Sequence, residues 1–413
     1  MKLPSILLAI TLPAILQAED DQLEPIFNGK NLDNWKTDDA LVASHWLVSD
    51  SQIIGDNRDK KGSVLWTKSD YKDYELTVDY QTDSIDYDSG VFVRGPSHQI
   101  QIGVSRSLKI DLTGCIYCPK DLQGKYPNQS KKVSSAHKLG EWNHLKIRVV
   151  GHRIETHLNG ELINDYMSVT MPKEGPIGLQ VHAGLHQKIH FKNFDLQPAT
   201  YDEPKTVDPK YDGRPVPAPE GAITLFDGRD ISLWKGTPRK GVENPNGEVR
   251  WKIENGYMQV SPKQGGIALK ESLLTSGLLH LEWATPTEVV GTGQGRGNSG
   301  VFIGGFPEVQ VLDSYDNKTY FDGQASALYK HAPPLVNASR GPGKWQKYEI
   351  YFTRARLDDK GKVSEPAFLT VYHNGILTQD RVPFHNKAQN GGLSFQDHNN
   401  PVRFRNVWFM PKD

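Results

Sequence analysis

The 413-residue chain is long enough for two domains that each bury a core of their own. Its 48 Lys and Arg balance 49 Asp and Glu, a formal net charge of −1, which excludes the basic stripe of a nucleic-acid binder. Hydrophobic residues make up 37% and no apolar run is long enough to span a bilayer well, so the processed chain is expected not to be an integral membrane protein. The chain opens with Lys2, a nearly unbroken apolar run from Leu3 to Leu16, and a small residue at Ala18 ahead of Glu19-Asp20-Asp21. Pro4 and Pro13 interrupt the run, and no Cys follows Ala18 to take a lipid anchor. This layout predicts a secretory signal peptide over residues 1–18 and a periplasmic or secreted protein.

An internal repeat organises the rest. Ile26-Phe27-Asn28-Gly29-Lys30-Asn31-Leu32 with Trp35 returns as Leu225-Phe226-Asp227-Gly228-Arg229-Asp230-Ile231 with Trp234. Trp46 matches Trp251, Ser89-Gly90-Val91-Phe92 matches Ser299-Gly300-Val301-Phe302, and Tyr117 matches Tyr329. Gly140-Glu141-Trp142 matches Gly343-Lys344-Trp345, Asn159-Gly160 matches Asn374-Gly375, and His182 matches His398. Pro198, Pro204, Pro209, Pro215, Pro217 and Pro219 mark a semi-rigid linker over 199–220 that should form neither helix nor sheet. The domains are therefore 19–198 and 221–413.

Within each copy the period is 2. Tyr74–Tyr80, Leu145–Val149, Leu278–Trp283 and Val402–Phe409 alternate apolar with polar residues, as half-buried antiparallel strands do. Asn159-Gly160 and Asn374-Gly375 are hairpin turn signals. Only Ala268–Thr275 suggests a short helix. The pattern predicts an all-β chain of two tandem jelly-roll β-sandwiches, with Trp35, Trp142, Trp234 and Trp345 suited to core packing. Cys115 and Cys118, spaced C-x-x-C, are read as a local disulfide or two inert thiols; a redox pair or a zinc site needs a context the sequence does not show.

Three segments together resemble the 3-keto-disaccharide hydrolase domain family, formerly the domain of unknown function 1080. They are the Leu-Phe-Asp-Gly opening, Gly297-Asn298-Ser299-Gly300-Val301-Phe302 followed by Glu308-Val309-Gln310-Val311-Leu312-Asp313, and Leu393 to Trp408 with Gln396-Asp397-His398-Asn399-Asn400-Pro401. The resemblance covers nearly all of the chain after residue 18, once per copy. It implies a concanavalin-like fold and action on oligosaccharides or keto-sugars whose C3 carbonyl makes the glycosidic bond easy to cleave.

Spacing nominates the chemistry. Glu308 and Gln310 share one strand face, while Val309 and Val311 point to the core. A C3 carbonyl acidifies the C2 proton, so removal of that proton expels the group on C1 and water then adds. Glu308 or His398 is the candidate base, and Asn298, Gln310, Gln396 and Arg403 are candidate ligands for sugar oxygens. Asp313 and Asp397, with Glu308 and His398 nearby in sequence, are candidate ligands for a divalent cation, the one cofactor suggested. Two alternatives remain open here: a hydrolase using two carboxylates, and a non-catalytic glycan-binding jelly roll. The first copy has Gln99 where the second has Glu308, Gln101 for Gln310, Val181 for Asp397 and His190 for Arg403, which puts its catalysis in doubt. The glycine-rich Gly291–Gly297 stretch lacks the strand–loop–helix setting of a phosphate cradle and reads as a flexible loop beside the site.

Overall fold

The computed structural model describes residues 23, 25–384 and 392–412; the predicted signal segment lies outside the described residues. Each half is a sandwich of two antiparallel sheets. In the first, a six-stranded sheet ordered Trp35–Thr37, Ser63–Thr67, Gly178–Val181, Asp88–Phe92, Gln99–Gly103, Ile116–Tyr117 faces a seven-stranded sheet centred on Asn143–Val150, Tyr74–Thr82 and Lys188–Pro198. In the second, a five-stranded sheet ordered Trp234–Gly236, Ile267–Leu269, Leu393–Phe395, Ser299–Ile303, Val309–Val311 faces an eight-stranded sheet built around Gly277–Ala284 and Arg403–Pro411. The chain is therefore a tandem pair of concanavalin-like jelly rolls. No helix of the described residues is long and apolar enough to cross a membrane.

The alternation read from the sequence is the cause of this layering. Leu76, Val78 and Tyr80 are buried on Tyr74–Thr82 while Glu75, Thr77 and Asp79 are only partly covered. Each domain has its own apolar core, one running from Ile26 to Leu196 and the other from Leu225 to Phe409. Asn159-Gly160 and Asn374-Gly375 adopt φ of 51° and 87°, and 53° and 79°, the left-handed pair that a two-residue hairpin needs to match strand twist.

Three expectations are corrected, and the alternatives for the cysteines are decided. Ala268 belongs to the Ile267–Leu269 strand, and 270–276 carries no helix, because the segment pairs into the five-stranded sheet. Trp35 and Trp234 are core residues, but Trp142 and Trp345 are only half-buried. Lys192 lies 3.7 Å from the Trp142 ring centroid and Arg405 lies 4.0 Å from that of Trp345, so these two rings support cations. The linker is docked rather than free. Lys205–Thr206 pairs in parallel with Val336–Asn337, and Val216 N donates to Glu282 Oε1 at 2.6 Å. Cys115 and Cys118 are free, fully buried thiols; burial and the neighbouring Asp121 push Cys118 up to about 12, so the pair is inert rather than bonded.

The domains also touch directly. His152 of the first stacks on His331 of the second with ring centroids 4.8 Å apart, and Tyr201 of the linker donates from its hydroxyl to the His331 carbonyl at 3.2 Å.

Candidate functional site

The site is built on the face of the five-stranded sheet turned away from the core. Val301, Val309, Val311 and Phe395 point inward, each at most 1% exposed, so by period 2 Phe302, Ser394, Gln396 and Gln310 line the opposite face, with Glu308 just ahead of its strand. Phe395 is locked from below: it lies nearly parallel to Phe404 of the other sheet at 4.5 Å, and Trp234 and Trp251 extend the stack. Tyr348 reaches across the core to donate to the Gln310 carbonyl at 2.6 Å. These contacts fix the register of the two site-bearing strands.

Glu308 folds back over Gly300, where a Cβ would fall inside its carboxylate. Tyr329 runs alongside, its N–H donating to the Glu308 carbonyl at 2.9 Å. Its hydroxyl is 2.7 Å from that of Tyr320. Burial, the Tyr329 hydroxyl and nearby carboxylates including Glu308 together raise the Tyr320 phenol. Partial burial alone pushes the Glu308 carboxyl up to about 7, because it leaves the charged form poorly solvated.

Gln310, 1% exposed, connects this carboxylate to a loop that the sequence reading treated as flexible. Its amide lies 3.1 Å from Glu308 Oε1 at one end and 2.8 Å from Gln294 Oε1 at the other. The Gln294 amide nitrogen is occupied by Thr319 Oγ1 and the Gly323 carbonyl at 2.9 and 2.8 Å, so Gln294 Oε1 accepts a hydrogen bond from Gln310 Nε2. Gln310 Oε1 then faces Glu308, a contact that protonated Glu308 satisfies by donating. With Glu308 ionised, a turned Gln310 amide donates to Oε1 only by setting its own oxygen against Gln294 Oε1, so this contact favours the protonated acid. The Gly291–Gly297 loop is thus pinned, also by Asn317, and supplies Gln294, which no spacing in the sequence signalled.

Asn298 is 2% exposed and donates to the Gln294 carbonyl at 2.7 Å. Its Oδ1, like Gln396 Oε1, has no protein partner. Buried acceptors of this kind seek a donor, and sugar hydroxyls are one. A cleft of about 290 Å³ lined by Thr237, Arg239, Phe302, Ser394, Gln396 and Asp397 continues the same face.

The other expected residues lie elsewhere. Arg403 is on the eight-stranded sheet, between the core residues Val402 and Phe404 and pointing the other way. It packs over Tyr257 and Trp345 and reaches the Thr285 and Gly343 carbonyls, so it is no part of this groove. His398 is exposed, beyond the end of its strand. It lies two residues past Gln396, the cross-strand neighbour of Gly300, and makes no hydrogen bond or ion pair with Glu308. Asp397 is clamped by Arg239 at 2.8 Å and by Gly265 N at 3.0 Å. Asp313 pairs with Arg296 at 2.8 Å, though burial still raises its carboxyl.

Asp313, Asp397, Glu308 and His398 therefore do not converge on a cation. Among the described residues the one group of three close metal-type ligands is His98, Cys118 and Asp121 in the first domain. There Asp121 already accepts from Tyr166, Ser168 and Thr170, and His98 sits between Ser97 and Ser168.

A groove of amides and aromatic rings on a jelly-roll face, with one protonatable carboxylate, suits a carbohydrate-active protein. The chain belongs to the 3-keto-alpha-glucoside-1,2-lyase-like domain family, which it matches twice, over residues 22–197 and 221–410. It is 25% identical over 242 residues to the 3-keto-disaccharide hydrolase of Bacteroides thetaiotaomicron, covering 47% of this chain and 79% of that protein. A solved structure from Parabacteroides distasonis, described as a candidate glycosyl hydrolase, is 34% identical over 51% of this chain and 94% of its own, with a TM-score of 0.44. The carbohydrate binding module CBM66 from Bacillus subtilis aligns over 40% of this chain and 95% of its own at 15% identity and a TM-score of 0.27.

Proposed function

We propose that the second domain cleaves the glycosidic bond of 3-keto-glycosides, with Glu308 as a single acid–base. The observation that carries this reading is a lone half-buried carboxyl near 7, set between Gln310 and the tyrosine pair. Near neutral pH such a group takes and returns a proton with little driving-force penalty. A two-carboxylate hydrolase needs a second free acid, and the neighbouring Asp313 and Asp397 are each tied to an arginine.

In the proposed cycle ionised Glu308 removes the C2 proton and the electron pair forms a C2–C3 enolate. The C1–O bond then breaks, and the same proton passes to the departing oxygen. Water adds to C1 of the resulting enone, giving its proton to the carboxylate, which returns it to C2. The net change is hydrolysis. The Tyr320–Tyr329 hydroxyls supply a hydrogen bond to the C3 oxygen as it gains charge, a contribution of about 10²–10³ in rate. Asn298, Gln396 and Gln310 hold the ring hydroxyls. Family membership and the Bacteroides relative support the substrate class.

The test is release of 4-nitrophenol from a 4-nitrophenyl 3-keto-glucoside and from its unoxidised parent. Release from the keto form alone, lost in Glu308→Gln, is expected; equal release from both, or an active E308Q, overturns the proposal. The Lys2–Ala18 segment supports an exported protein in the same reading. Protein recovered from the periplasm or medium should then begin at Glu19, and an intact Met1 would reject it.

A further inference from the structure

The first domain repeats the groove with its charge moved. Gln99 occupies the place of Glu308: a Cβ on Gly90 would fall inside the Gln99 amide, as one on Gly300 would fall inside Glu308. Gln101 pairs with Gly90 as Gln310 pairs with Gly300, and Gln180 pairs with Gly90 on the other side, matching Gln396. Gln99 Nε2 donates to Gln180 Oε1 at 2.8 Å. Tyr117 lies opposite Gln99 across the last strand pair and stands 5.1 Å from Tyr126, with Lys125 over both rings. The second domain has the same tyrosine pair under Lys330. The carboxylate beside Gln101 is Asp88, in the place of Asn298. It accepts from Gln101 Nε2 at 2.7 Å and from Arg106 N at 3.2 Å. A cleft of about 400 Å³ lined by Gln180, Ser63 and His182 opens on this face; its carboxylates, Asp38 and Asp39, accept from Trp66 Nε1 and Leu41 N.

We infer that this face is a second carbohydrate site, one that binds a neutral hexopyranoside without cleaving it. Amides that both donate and accept, beside an aromatic pair, suit vicinal hydroxyls and the apolar face of a sugar ring. Gln99 cannot exchange a proton near neutral pH, and Asp88 has a hydrogen bond on each oxygen. The site holds substrate or product near the second domain and raises its local concentration.

The inference is tested apart from the catalytic reading by titration calorimetry on the full chain carrying Glu308→Gln, with 4-nitrophenyl 3-keto-glucoside and 4-nitrophenyl glucoside as probes. A stoichiometry near two with at least one probe, falling to near one when Gln99→Ala and Gln180→Ala are added, is expected. Stoichiometry near one that is lost with Gln99→Ala and Gln180→Ala also supports the first-domain site and removes the second-domain reading instead. Binding that ignores those two changes, or no binding of either probe, overturns the inference. Turnover that persists in E308Q and disappears in Asp88→Asn overturns it too, by making the first groove catalytic.

Discussion

Gly300 lies directly beneath the Glu308 carboxylate, and it is the absence of a side chain at 300 that lets Glu308 fold onto the sheet. In Gly300→Ala the new methyl must displace the carboxylate, which ends a flexible side chain and moves cheaply. The expected result is a fall of about 10–10² in kcat/KM, as for other small misplacements of a reacting group, with the thermal midpoint nearly unchanged. Parallel kinetics and thermal melts check both halves.

The rate should follow the ionisation of Glu308. With its carboxyl near 7, kcat/KM on a 3-keto-glucoside should rise with pH and level off above about 7, since the ionised form starts the reaction. Glu308→Gln should lower the rate by about 10²–10⁴ and flatten that limb. A wild-type profile with its midpoint below 5 would remove Glu308 as the base.

The same burial predicts a stability effect of opposite sense. The folded carboxyl is raised above the ordinary 4.5, so the folded state holds the proton more tightly than the unfolded chain. Stability from this group is full below 4.5 and falls as pH rises to about 7. Glu308→Gln should therefore gain stability relative to wild type on going from pH 4.5 to pH 8, by about 1–3 kcal/mol. Chemical denaturation at the two pH values measures the difference.

His331 and His373 act at the acid end. Burial holds both neutral and pushes each down to about 3, with His152 adding to the effect at His331. Below the ordinary 6.5 the unfolded chain binds protons that the folded one refuses, so stability is lost as pH falls from 6.5 towards 3. Each group contributes a slope of about 1.4 kcal/mol per pH unit. His331→Phe, which keeps a ring against His152 and Phe384, should remove one such slope from the second domain's unfolding transition. Denaturation at pH 6 and pH 5 reads this directly.

The Asp397–Arg239 pair holds Gly265 and the Leu393–Phe395 strand end together. With Asp397 only 1% exposed at its side chain, Asp397→Ala leaves a partly buried guanidinium and a backbone N–H without their acceptor. A loss of about 3 kcal/mol is expected, together with a raised KM as Gln396 loosens. An unchanged KM in a folded variant would separate Gln396 from sugar binding.

The sequence alone determined what depends on period and repetition. The duplicated Trp35 and Trp234 segments, the alternating strands and the Asn-Gly turns specify two jelly rolls, because side-chain period and turn chemistry are local properties. They also put Glu308 and Gln310 on one face, since residues two apart on a strand share it. Alternation says which face of a strand a residue takes, but not in which of the two sheets that strand lies. Arg403, two residues after the bend at Pro401, therefore looked like a groove residue and belongs to the opposite sheet. Gln294 reaches Gln310, and the tyrosine pair comes alongside Glu308, through loops whose paths follow from distant contacts such as Asn317 with Gly293. Asp313 and Asp397 were visible as carboxylates; only the fold brought Arg296 and Arg239 onto them. That non-local placement of charge left Glu308 as the one unpaired acid of its groove, and set Asp88 in the matching groove one strand away from the position Glu308 would occupy.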